Sequence, residues 1–179
     1  MNTIVVYSSK YGSTKKYAEW IADELKCDLK DKKDITIDEL LKYDAIVYGG
    51  GLYAGGVNGI DIFTKQFDKL KNKKLILFTC GISDPKLEEN VNNIRKNISK
   101  SFNDEMMEKI KIFHLRGSMD YSKLSLKHSM MMKMLKAMIL KKDKSELSEE
   151  DKQIIDTYGT VIDFTDKETI KPIIEYLDK

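Results

Sequence analysis

The chain has 179 residues, enough for one domain with a full hydrophobic core. Its 31 basic and 29 acidic residues leave a formal net charge of only +2, which argues against nucleic acid as a partner. Cysteine occurs only at Cys27 and Cys80, too few for a disulfide-stapled secreted domain, and no Cys or His cluster offers a metal ligand set.

Met1-Asn2-Thr3 leads straight into a short apolar run, without the basic, long-apolar and small-residue pattern of a signal peptide. No run approaches 18 apolar residues, so no bilayer span is expected and the default is a reduced, cytoplasmic protein. Ile4 to Tyr7 reads as a strand buried on both faces. A polar loop follows, then a helix with Tyr17, Ala18, Ile21, Ala22 and Leu25 on one face. Cys27 to Leu29 suggests a weak edge strand, and Thr36-Ile37-Asp38-Glu39 has the spacing of a capping box. Ala45 to Tyr48 is the next buried strand and runs into Gly49-Gly50-Gly51. Ile60, Phe63, Phe67 and Leu70 mark a helix face, and Leu75 to Phe78 a further strand. Asp84 with Pro85 behind it predicts a helix start, with Leu87, Val91, Ile94 and Ile98 inward.

Ile110 to Leu115 predicts the fifth strand, with His114 structural within it. Beyond Gly117 the alternation breaks. Leu126 to Leu140 is a helix rich in Met and Leu. Ser148 caps another helix, carrying Ile154, Ile155 and Tyr158 and stopping at Gly159. Val161 to Phe164 is a short strand, and Asp166 caps a last helix with Ile170, Ile173, Ile174 and Leu177 inward. Strand–helix alternation with short connections predicts an α/β fold, a doubly wound parallel sheet with helices on both faces. The expectation is one domain over residues 1–179, five strands in order 2-1-3-4-5, and a helical insertion at about 117–159 near strand 5.

The loop after the first strand, Ser8-Ser9-Lys10-Tyr11-Gly12-Ser13-Thr14, concentrates chemistry. It lies where an open parallel sheet binds ligands, at a helix N-terminus with free N–H groups and positive dipole. Hydroxyls, a glycine and Lys10 there suit a phosphate dianion. The same residues also suit an ordinary capped turn. The Walker and Gly-x-Gly-x-x-Gly patterns are both absent.

The loop resembles the flavodoxin phosphate loop, which binds the phosphate of FMN. Asp44 to Gly56 resembles that family's third strand and flavin-flanking loop. Thr79-Cys80-Gly81-Ile82 resembles its second flavin loop. The resemblance implies that Gly50, Gly51, Leu52, Tyr53, Ala54 and Gly55 flank the ring from one side, and Thr79, Cys80, Gly81 and Ile82 from another. Tyr53 has the aromatic surface to stack on an isoalloxazine, or stands as a surface aromatic in its loop. Cys80 is either a small buried hydrophobe or a neighbour of the flavin.

Five of the nine methionines fall between Asp120 and Leu140. On a helical wheel Ser129, Lys133 and Lys136 form a polar stripe opposite Met130, Met131, Met134, Leu135 and Met138. Between Lys123 and Lys144 stand seven lysines and one acid, Asp143. Such a helix packs on its own domain, meets a varied partner, rests on an anionic membrane as a peripheral contact at the inner surface, or forms a homodimer interface. His128 lies on it and could meet an anionic ligand.

The insertion resembles that of the menaquinone-dependent protoporphyrinogen dehydrogenases, a branch of the flavodoxin superfamily. Tyr121, the Met-rich helix and Asp163-Phe164-Thr165-Asp166 carry this resemblance. It implies an FMN-dependent oxidoreductase moving electrons or hydride between a small-molecule redox substrate, a hydrophobic tetrapyrrole, and a quinone. The chain departs from that pattern at Ala54-Gly55-Gly56 and Thr79-Cys80-Gly81. The alternatives are a flavodoxin-type one-electron carrier for a redox protein partner and a flavin-free scaffold. Carriers are typically strongly acidic, and this chain is not.

Overall fold

Strands alternate their side chains between two faces, so a run apolar at every position needs cover on both sides. The computed structural model, which describes residues 1–178, meets that need. Its elements in chain order are β1 (Thr3–Ser8), α1 (Ser13–Leu25), β2 (Asp28–Asp31), α2 (Ile37–Leu40), β3 (Ala45–Tyr53), β4 (Gly56–Val57), α3 (Asp61–Thr64), α4 (Phe67–Leu70) and β5 (Lys74–Gly81). Then follow α5 (Glu88–Ile98), α6 (Asp104–Lys109), β6 (Ile110–Arg116), β7 (Ser118–Asp120), α7 (Leu126–Ile139), α8 (Glu149–Thr157), β8 (Val161–Asp163) and α9 (Lys171–Leu177).

The five parallel strands run β2-β1-β3-β5-β6, the expected 2-1-3-4-5 order. The short β4 pairs antiparallel with the end of β3. Ile4 and Val6 of β1 face one core layer, with Ile46, Tyr48, Leu75, Leu77 and Phe63. Val5 faces the other, with Val47, Ile76, Phe78 and the buried sides of α1 and α9.

Local signals set several helix starts. Thr36 and Glu39 form the expected capping box. Ser148 caps α8 and is answered by Asp151. Asp166 caps a single 3-10 turn, Lys167–Ile170, which passes into α9 with Pro172 in its first turn. The Asp84 signal fails: α5 starts at Glu88, behind an extended Leu87 that is 41% exposed. The Asp84 carboxylate is instead drawn to the Arg116 guanidinium at 3.2 Å, which itself lies 3.7 Å over the Phe164 ring. The single helix face expected over 60–70 is split into α3 and α4, though Phe63, Phe67 and Leu70 are all buried as expected.

The strand at Val161–Asp163 is not part of the main sheet. It pairs antiparallel with β7, making a two-stranded neck through which the chain leaves after β6 and returns. The Tyr17 hydroxyl pins that neck to α1. It donates to Arg116 O at 2.7 Å and accepts from Asp166 N at 3.0 Å. The excursion therefore starts and ends at the carboxyl edge of the sheet, and α7 lies over that edge.

His114 on β6 shows how burial couples to pH. Its Nδ1 shares a 2.8 Å hydrogen bond with the Thr79 hydroxyl, and its Nε2 is buried without a partner. Burial, helped by the Arg95 charge, lowers its pKa from 6.5 to about 4. Between those values the unfolded chain binds a proton that the folded protein refuses. Stability is therefore full above about pH 6.5 and falls as the pH drops toward 4, by about 1.4 kcal/mol per unit at most. Thermal melts at pH 7.5 and 5 should show a smaller loss for His114→Gln than for wild type. An equal loss in both would refute the assignment.

Candidate functional site

The candidate site is built at the carboxyl ends of β1, β3, β5 and β6. Gly12 precedes α1 with φ +101, a conformation that favours glycine, and a Cβ added there would meet nothing within 4 Å. No side chain caps this 13-residue helix, so the amides of its first turn face an open corner. Most loop hydroxyls already have partners within the protein. Ser8 Oγ accepts from Asn58 Nδ2 at 2.8 Å, and Ser9 Oγ accepts from Gly12 N at 3.1 Å. Ser13 Oγ accepts from Ser118 N at 2.9 Å and lies 2.7 Å from Ser118 Oγ. The first-turn amides of α1 are thus the freer anion-facing groups of the corner, with the Lys10 ammonium, shared with Ser125 Oγ, beside them.

Beside that corner lies an apolar cavity of about 140 Å³. Tyr11, Ser13 and Thr14 line it from the first loop; Leu52, Tyr53 and Ala54 from the second; Cys80, Gly81 and Ile82 from the third. Gly117, Ser118 and Met119 close its rear, and Leu124, His128, Met131 and Met132 of the insertion roof it. It adjoins two further hollows. One, of about 320 Å³, reaches Gly55 and is lined by Asn90, Asn93, Asn97 and Gln153. The other, of about 530 Å³, reaches Lys10 and Lys123.

Of the residues read from the sequence, the structure brings together those three loop segments and leaves others behind the wall. Gly50, Gly51 and Thr79 do not line the cavity. A Cβ on Gly50 would stand 2.3 Å from Val57 Cγ1, and one on Gly51 2.8 Å from Tyr53 Oη. Thr79 is fully buried, its hydroxyl turned to His114. Cys80 is 5% exposed, and burial pushes its thiol up to about 12 against a hydrogen bond with Thr14, so it is an unreactive wall. Ala54 (φ +51) and Gly55 (φ +78) form a two-residue turn joining β3 to β4, which holds Tyr53 in place.

The insertion supplies what sequence patterning did not. Tyr53 stacks on His128, with ring centroids 5.3 Å apart and planes at 22°, and meets Tyr11 edge-on at 5.8 Å. Tyr11 Oη lies 2.6 Å from His128 Nδ1 and accepts from Ser125 N at 3.3 Å. Lys10 Nζ donates to Ser125 Oγ at 3.3 Å. Burial opposes ionisation of the Tyr11 phenol, but the hydrogen bonds from Ser125 and the charge of Lys10 outweigh it and lower its pKa. The signal for this contact was Ser125 itself, an N-cap that places His128 in the first turn of α7. The wheel puts Lys136 on the polar stripe and leaves Met132 unassigned. Lys136 turns in over the Tyr158 ring at 4.2 Å, and Met132 roofs the cavity. Met130, Met134 and Met138 point outward, each more than 60% exposed.

The chain is similar to several known proteins. The family model described as a flavodoxin domain matches residues 4–148. An uncharacterized protein of Methanocaldococcus jannaschii is 32% identical over 83 residues, 45% of this chain and 55% of its own length. The chain thus spans about half the length of that curated relative. A flavodoxin, WrbA-like protein from Agrobacterium tumefaciens is 27% identical over 54% of this chain and 69% of its own, with a TM-score of 0.43. An oxidised flavodoxin from Bacillus cereus is 19% identical over 65% of this chain and 86% of its own, with a TM-score of 0.42. The family match covers most of the sheet and the first part of the insertion, including all three cavity loops, and so the chain belongs to the flavodoxin domain family.

Proposed function

We propose that the protein is an FMN-dependent oxidoreductase whose insertion shapes the substrate side of the site. One observation carries this reading: an uncapped helix N-terminus with open space at Gly12 stands beside an apolar, aromatic-lined cavity. That pairing fits a ligand with one dianionic end and one flat apolar end. Bound FMN would supply redox chemistry that none of the side chains here provides.

The first-turn amides of α1 and Lys10 hold the phosphate. Leu52, Tyr53 and Ala54, with Cys80, Gly81 and Ile82, orient the ring. Met131 and Met132 exclude water from above. A cavity of 140 Å³ is below the ~300 Å³ expected of a ligand pocket, so a bound ring would also need the adjoining hollow lined by Leu52, Gly55 and Gly81. The balanced charge favours an enzyme with its own substrate over an acidic electron shuttle. The resemblance to protoporphyrinogen dehydrogenases supports a hydrophobic substrate and a quinone acceptor. Titration of the apo protein with FMN, followed by turnover with porphyrinogen, quinones and nicotinamide donors, tests the proposal. Absence of FMN uptake rejects it.

A second feature concerns place. Among the described residues no helix is long and apolar enough to cross a bilayer. The outward face of α7 carries Met130, Met134 and Met138 at one-turn spacing, with exposed Lys127, Lys133 and Lys141 beside them. Apolar side chains edged by lysines match an anionic lipid surface. The protein should co-sediment with anionic liposomes at low salt and detach at 0.5 M salt, a strength at about which such attraction is screened. Met134→Glu should weaken binding. Retention on neutral liposomes alone, or a salt-insensitive dimer in place of lipid binding, would contradict it.

A further inference from the structure

Any reaction that adds electrons to a neutral acceptor and leaves a neutral product also needs protons. Few groups in the cavity can supply one. Cys80 titrates near 12, Tyr53 is raised by burial, and Tyr11 is a phenol. His128 is the remaining titratable side chain on the cavity wall.

Its surroundings hold it as a working group holds, not as a surface histidine lies. Nδ1 is fixed by the Tyr11 hydroxyl at 2.6 Å, and one ring face is fixed by Tyr53. Tyr11 is itself fixed by the backbone N–H of Ser125, three residues before His128. Two orienting contacts leave Nε2 as the ring nitrogen without a protein partner among the described residues. A base held by a second group through one nitrogen and free at the other is the arrangement that proton transfer requires.

We propose that His128 is the proton-carrying residue of this site and that Tyr11 positions it. The proposal rests on the FMN reading above, and it adds a named catalytic side chain that the insertion, not the sheet, contributes. A quinone-type carbonyl acceptor needs two electrons and two protons, of which bound FMN, once reduced, would supply the electrons and one proton. The second proton comes from the His128 imidazolium: the Nε2–H bond breaks, its electron pair stays on the ring, and an O–H bond forms on the acceptor. Imidazole then takes a replacement proton from solvent.

Electrostatics suits the direction. Burial lowers the His128 pKa first, and the Lys10 and Lys127 charges lower it further, so the imidazolium releases its proton readily. Tyr11 and Tyr53 are the other titratable groups against the ring, from the first and second cavity loops. An anion at the loop would offset Lys10 and so oppose part of that lowering.

The test uses the full chain loaded with FMN and reduced by light. Re-oxidation is followed by stopped flow with a water-soluble quinone, which needs protons, and with ferricyanide, which needs none. For wild type the quinone rate should rise as the pH falls through the histidine range. For His128→Gln the quinone-to-ferricyanide rate ratio should fall at least about tenfold at pH 6, with the pH dependence gone. Tyr11→Phe should keep the pH dependence but move its midpoint. Ring NMR of the apo protein gives a readout apart from turnover. The chain has two histidines, so the variant identifies His128, and Tyr11→Phe should shift its titration.

An unchanged pH profile and rate ratio in His128→Gln, with FMN bound, overturns this proposal and leaves the FMN reading intact. Failure of wild type to take up FMN overturns both. A defect of equal size with both acceptors also overturns it, because it marks a structural role.

Discussion

Apo protein should bind FMN roughly a hundredfold or more tightly than riboflavin, because the two differ only in the phosphate and a charge-assisted hydrogen bond is worth about 1.5–3 kcal/mol. Two such bonds from the first turn of α1 give about 3 kcal/mol or more, and each 1.4 kcal/mol is a factor of ten. The corner is prepared for this: no side chain caps α1, and no atom crowds the space beside Gly12. Lys10 adds a long-range attraction that salt screens, whereas the amides act at contact. The FMN preference should therefore shrink with added salt but persist. Lys10→Gln should lose part of it, and a Gly12 variant more, since a side chain at φ +101 strains the turn that presents the amides. Quenching of flavin fluorescence measures both ligands in one assay. Equal affinity for FMN and riboflavin would remove the phosphate from this corner and the redox assignment with it.

The sheet was legible because its signals are local and redundant. Ile4 to Tyr7, Ala45 to Tyr48 and Leu75 to Phe78 are apolar at every position, and only a strand covered on both faces uses such a run. Capping at Thr36 and Ser148 depends on residues three apart and survives any tertiary context. Asp84 caps only a local turn at Lys86 N, and its other oxygen meets Arg116 32 residues away, a partner no local rule contains. The neck of the insertion was legible as a strand but not in its pairing. Val161–Asp163 has strand propensity, but its partner is decided by Tyr17 and by the Gly117–Phe164 hydrogen bond, which fix both ends of the excursion. The cavity loops were visible as motifs, while the roof was not. Met132 and Lys136 turn inward because α7 meets the domain on a face that its own periodicity does not announce.

Gly49→Ala should destabilise the fold by about 1–3 kcal/mol, the range for overpacking a filled core, although the change adds one methyl group. The glycine run after β3 invites a functional reading, as room for backbone to approach a ring. At Gly49 the geometry gives a different reason. Gly49 is paired in register with Phe78 on β5, and the Phe78 ring lies across the glycine. A Cβ there would stand 2.1 Å from Phe78 Cζ and 2.7 Å from both Cε atoms. Phe78 is fully buried against the layer that α1 and α9 cover, so its ring has nowhere to retreat. Phe78→Leu alone opens a void and costs stability, but in the Gly49→Ala background it removes the ring tip that the new methyl strikes. The double variant should therefore lose less than the sum of the singles, by a coupling of about 0.5–3 kcal/mol. Urea titrations followed by Trp20 fluorescence and far-ultraviolet circular dichroism give all four corners of the cycle. Additive losses would mean that strand β3 shifts to admit the methyl. That shift would move Leu52 and Tyr53, which continue the same strand into the cavity wall, and FMN affinity would fall in step with stability. Non-additive losses confine the damage to the core and leave the cavity wall, and with it FMN affinity, largely untouched.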